Sequence, residues 1–144
     1  MPIWMVVLIG LIGGVAVGLQ SPIAGAMGQR VGGIASSFII HLSGAILSGL
    51  YLVLLGGQKI KDWHTLPWYM LCAGFFGVVL YQTISVTLPR LGSTMMVALI
   101  IVGQLLMGVI VDHFGLLGVA TRHIDVSRAL GIVALVVGAY LIAK

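Results

Sequence analysis

Long apolar runs, punctuated by short polar segments, organise this chain. The first run extends from Ile3 to Leu19, passes Gln20-Ser21-Pro22, and continues weakly apolar to Gly28. Four more follow, at residues 31–55, 68–88, 92–111 and 130–143. A membrane-spanning helix needs about 20 mostly apolar residues to cross a hydrocarbon core of ~30 Å. The pattern therefore predicts five transmembrane helices. The first, residues 3–28, is expected to bend near Pro22, because proline removes a backbone donor and crowds the preceding turn. The last is short and is expected to borrow from the segment before it. The runs are too continuous for the alternating ~10-residue strands of an outer-membrane barrel. Residues 1–29 hold no Lys or Arg ahead of the apolar run, as a signal peptide would require, so the first span is expected to be retained.

Composition sharpens the class. Of 144 residues, 60% are hydrophobic and 7% charged, against roughly 25% charged in a soluble domain. So few charges cannot cover a water-soluble globule, and a disordered chain would be far more polar. The expectation is an all-α integral membrane protein, one membrane domain over residues 1–144, with the lipid bilayer as its first partner. The seven Lys and Arg are scattered, which argues against nucleic acid. Cys72 is the sole cysteine, so neither an internal disulfide nor a CxxC metal site can form. No cofactor and no metal is expected.

The basic residues also bear on orientation. With five spans, Lys59, Lys61, Arg122 and Arg128 share the face of the N-terminus, while Arg30, Arg90 and Lys144 share the other. Orientation follows the Lys and Arg bias, and four against three is almost none. Insertion both ways round is the expectation, giving an antiparallel homodimer that supplies an inverted repeat.

Polar residues at membrane depth mark candidate chemistry, since they are costly there and face a partner or a cavity. Ser37, His41, Gly44 and Ser48 lie on one helical stripe. Tyr81, Gln82 and Ser85 fall within about a turn, Thr94 and Gln104 lie in the fourth run, and Gln20 and Ser21 sit at the expected bend. Gln20, Ser37, His41, Tyr81, Gln82 and Gln104 are the candidate substrate-binding residues. Ser36, Ser43, Ser48 and Thr87 read instead as backbone-bonding or helix-joining groups. His41, whose side chain titrates near neutrality, and Asp112, at a span end, are the candidates for proton coupling. There is no Glu, and the first three spans hold no carboxylate, which disfavours exchange of protons for a cationic drug. Gly10, Gly14 and Gly18 repeat every fourth residue and suit close helix or dimer packing. Cys72 and the methionines read as packing.

The stretch from Tyr81 to Gly118 resembles the small YdcZ-like bacterial inner-membrane proteins of the drug/metabolite transporter superfamily. The similarity rests on Pro89, Arg90 and Gly92, then Gly103, Gln104, Asp112, Phe114 and Gly115. Gln20, Arg30, Val31-Gly32 and the closing run ALGIVALVVGAYLIAK extend it over nearly the whole chain. The resemblance implies a five-helix half-transporter of the inner membrane that works as a dimer. Family members often carry an Asn a few residues after the first-helix Gln, where this chain has Ser21, Pro22, Ile23 and Ala24. The function expected is secondary transport of a small neutral, zwitterionic or weakly anionic solute by alternating access. The alternatives are a small dual-topology ion channel, or the accessory half of a heteromeric transporter. An enzyme is not expected, because no HExxH, paired intramembrane aspartates or nucleophile–base arrangement is visible.

Overall fold

A computed structural model describes residues 1–142; the expected end of the last span at Ala143 lies outside the described residues. The described chain is helical, with no strand. Helix α1 covers Ile3–Val31, α2 Gly33–Leu54, the four-residue α3 Trp68–Leu71, α4 Gly74–Phe114 and α5 Val126–Ile142. Short 3₁₀ turns occupy Ile60–Thr65 and Leu116–Gly118. Three segments, Ile3–Val31, Gly33–Leu54 and Trp68–Phe114, are long and apolar enough to cross a membrane, and Val126–Ile142 is a shorter apolar helix. The chain divides into two compact units at the junction of Arg90 and Leu91.

In the first unit α1 continues as one helix through Pro22. Its break comes at Gly32, where φ 90° and ψ 151° suit a residue without a β-carbon. The chain doubles back on that residue: the buried Ser36 hydroxyl donates to the Ala24 carbonyl at 2.9 Å, tying α2 to α1. Arg30, expected between the spans, and Val31, expected to open the second, are thus the last turn of α1, and the connection is Gly32 alone. No loop is needed, because a glycine at positive φ ends one helix and starts the next.

The expected third and fourth spans meet in α4, two helical stretches joined across a kink. Pro89 lies inside it, and the one non-helical residue is Gly92, at φ 73° and ψ 170°. An L-residue there would be strained by about 1–3 kcal/mol. Gly92→Ala is therefore expected to lower the thermal midpoint in detergent by several degrees; an unchanged midpoint would show that the backbone at this junction tolerates a β-carbon.

In the second unit α5 starts four residues earlier than the apolar run, and Asp125 explains the extension. Its carboxylate accepts a hydrogen bond from the Arg128 backbone N–H at 2.7 Å, the side-chain cap that satisfies an orphan donor of the first turn. At the end of α4, Gly115 adopts the left-handed conformation, φ 61° and ψ 34°, which terminates the helix.

Burial is the reverse of a soluble protein's. Among the described residues the buried hydrophobic side chains are Ala24, Tyr81, Ile84, Met96 and Ala139, and beside them Ser21, Ser36 and Ser37 are buried polar ones. Leu8, Ile12, Phe38, Val53 and Phe75, among many large apolar residues, are exposed. In water such a surface would drive aggregation; against acyl chains it carries no penalty.

Candidate functional site

The first unit gathers a polar cluster from three helices. Ser37 and His41 lie one turn apart on α2. The His41 Nδ1 stands 2.7 Å from the Ser37 carbonyl and 3.3 Å from its hydroxyl. A carbonyl can only accept, so Nδ1 carries a proton and donates to it. Nε2 points at Gly77 of α4, where a β-carbon would collide with the imidazole. The ring also meets the edge of Tyr81, with centroids 5.4 Å apart and planes at 84°, a favoured T-shaped contact. The Gln20 side chain of α1 lies beside the Tyr81 hydroxyl. Tyr81 and Ser37 are buried, whereas Gln20 and His41 are exposed at the edge of the cluster.

One turn along α4, a second set of contacts fixes the helices. Gln82 projects its amide oxygen at Gly33, and the Ser85 hydroxyl lies against both Gly28 and Gly33. The Gln29 amide donates to the Ser85 carbonyl at 2.6 Å, while the Ser85 hydroxyl donates to the Tyr81 carbonyl at 2.9 Å. Leu88 and Ile84 pack on Gly25. Glycines at 25, 28 and 33 therefore let the first part of α4 approach the α1–α2 hairpin closely enough for backbone contact.

Five of the six residues expected to bind substrate, Gln20, Ser37, His41, Tyr81 and Gln82, thus lie on the contacting faces of one unit. The sixth, Gln104, belongs to the second unit, where it is exposed and has no hydrogen-bond partner among the described residues. Asp112 also belongs there and is engaged: its carboxylate pairs with Arg128 at 3.5 Å, and its carbonyl accepts the Arg122 N–H at 2.7 Å. Gly10, Gly14 and Gly18 have nothing within 4 Å of an added β-carbon. Close packing inside the chain falls instead on Gly25, Gly28, Gly33 and Gly77.

Several hydroxyls do what membrane helices usually ask of them. Ser43 and Thr87 donate to the Ile40 and Thr83 carbonyls of their own helices, and Ser36 joins α1 to α2. Gln29 escaped the sequence reading because it precedes Arg30 in what looked like polar punctuation; the continuation of α1 to Val31 puts it on a packed face. Gly28, Gly33 and Gly77 carried no periodic signal that could have singled them out.

Apolar helices of spanning length, largely without charge and joined around uncharged hydrogen-bonding groups, define a polytopic helical membrane protein. The chain belongs to the family described as "Putative inner membrane exporter, YdcZ", whose model matches residues 5–141. It is an inner-membrane protein of that exporter family. No curated protein and no solved structure matches the chain.

Proposed function

We propose that the chain is one half of a secondary transporter of the drug/metabolite transporter type. It crosses the membrane five times and pairs with an oppositely inserted copy to move a small neutral, zwitterionic or weakly anionic solute by alternating access. The observation that carries this reading is the cluster of Gln20, Ser37, His41 and Tyr81: amide, hydroxyl, imidazole and phenol, with no carboxylate on α1, on α2 or on residues 74–90 of α4. Such groups bind a solute by hydrogen bonds and ring contact. A bare cation would need a counter-charge, since unpaired charge at membrane depth costs at least ~2.5 kcal/mol. The carboxylate available in the span regions, Asp112, is already paired with Arg128.

Currents on solid-supported membranes, recorded with cationic, neutral, zwitterionic and anionic solutes, test the substrate class. Neutral or zwitterionic solutes are expected to give saturable currents or counterflow. Transport of quaternary ammonium ions, lost specifically in Asp112→Asn, would overturn the reading. Gln104 is proposed as a further binding group for the solute. A hydrogen-bonding group removed from a bound ligand costs about 1–3 kcal/mol, so Gln104→Ala should weaken transport roughly tenfold with the dimer intact. Wild-type transport at normal expression would take Gln104 out of the binding site.

A further inference from the structure

The second unit contains a groove that the polar cluster does not use. The later part of α4 and helix α5 leave a hollow of about 370 Å³ between Leu105, Gly108 and Val109 on one side and Gly131, Ile132 and Leu135 on the other, ending at Asp112 and Arg128. A second hollow of about 290 Å³ shares Leu135 and continues past Gly138 to Ile142. With Leu135 common to both, their apolar lining follows α5 as a trough from Arg128 for ~21 Å, longer than one leaflet's ~15 Å half of the hydrocarbon core. Water does not fill a trough of this lining, and an empty one forfeits the contacts of every side chain along it.

The end of the trough carries both signs of charge with bonding capacity left over. Arg128 and Asp112 are each about one-third exposed, at 31% and 34%. The Arg128 Nη1 reaches the Arg122 carbonyl at 3.2 Å and the Asp112 Oδ2 at 3.5 Å. Its Nε and Nη2 have no partner among the described residues, and that edge of a guanidinium is the fork that holds a phosphate by two parallel bonds. The Asp112 Oδ1 is likewise unpartnered and can accept an ammonium. The surrounding titratable groups are largely committed: His113 Nδ1 accepts the Ile124 N–H at 3.2 Å, the His123 ring stands on His113 at 5.3 Å, and Asp125 caps α5. Arg122 adds one further positive charge.

We propose that this trough binds one acyl chain of a phospholipid whose headgroup is zwitterionic and carries a primary amine. The phosphate sits on the free edge of Arg128, the ammonium on Asp112, and the chain runs over Gly108, Gly131 and Gly138. A second protein copy would cover the apolar lining but would leave the two open charges at its end without a counterpart.

A phosphatidylethanolamine bearing a photoreactive diazirine in its tail, incorporated with the full-length protein into lipid nanodiscs, tests this directly. Adducts are expected to concentrate on residues 105–109 and 131–138 of the unmodified protein. Unlabelled phosphatidylethanolamine should compete at least fivefold better than phosphatidylglycerol with the same tails, and free phosphate with ethanolamine should not compete. Gly131→Phe, which fills the trough, should reduce labelling there at least tenfold, and Asp112→Asn should erase the preference between the two headgroups. Adducts spread equally over the exposed Leu8–Val17 face of α1 would overturn the proposal. So would competition by free phosphate and ethanolamine, which would mean a headgroup site without a chain. Disulfide-linked dimers of Gly131→Cys that exclude the lipid probe would assign the trough to a second copy instead.

Discussion

Transport is expected to vanish when the basic residues are moved to one side of the chain, and to return when two oppositely biased chains are produced together. Lys59→Gln and Lys61→Gln, combined with Leu91→Lys and Ser93→Lys, change the proposed distribution from four against three to two against five. Arg30→Gln with Arg90→Gln gives four against one. Because orientation follows the Lys and Arg bias of short loops, each variant should insert one way only. Neither can then form an antiparallel pair with itself, but the two can form it with each other. The substitutions avoid Gly92, whose positive φ is a structural requirement, and Leu91 and Ser93 are exposed. Solute flux in proteoliposomes and labelling of tags at both termini measure the outcome. Wild-type flux from either variant alone, with all its termini on one face, would eliminate the antiparallel pair. It would leave a single-orientation transporter whose polar cluster still needs its solute.

The limits of the apolar segments were legible because spanning length and polar punctuation are properties of composition, which lipid enforces more strictly than water does. What composition did not announce was the first joint. α1 is the single helix expected through Pro22, but it runs on past Gly28 to Val31; the residue that ends it is Gly32, and a glycine at positive φ has no side chain to announce itself. The break between the third and fourth spans, by contrast, was expected at residues 89–92, and the helix is interrupted there at Gly92. The fifth span was expected to borrow from the segment before it, and α5 does so by starting at Val126; Asp125, the cap that sets this start, was not singled out. Among the candidate residues, the amides and the imidazole stood out because they are expensive in a membrane. Their grouping did not: that His41 meets Tyr81, and Tyr81 meets Gln20, depends on glycines at 25, 28, 33 and 77 that have no common periodicity. Conversely, the regular Gly10, Gly14 and Gly18 repeat meets nothing among the described residues, and we propose that it serves the pairing of two copies.

Within the first unit, His41→Leu is the substitution expected to impair transport most. The imidazole joins two of the cluster's helices: Nδ1–H is bonded to the Ser37 carbonyl at 2.7 Å, Nε2 faces Gly77, and the ring rests on Tyr81. Losing a hydrogen-bonding group toward solute costs about 1–3 kcal/mol, and losing the ring contact a further ~0.5–1.5 kcal/mol. Together these predict a fall in transport of roughly a hundredfold. Leucine fits an apolar helix, so insertion and dimer yield should be preserved, and normal expression with lost flux separates function from folding. His41→Gln divides binding from proton coupling, because an amide still exchanges hydrogen bonds but does not titrate. If His41 also carries the coupled proton, His41→Gln will retain solute binding but lose the dependence of flux on pH. A pH profile unchanged by His41→Gln would leave the histidine a binding group alone and place the coupled proton elsewhere. Flux in His41→Leu equal to wild type would remove this cluster from the transport path altogether.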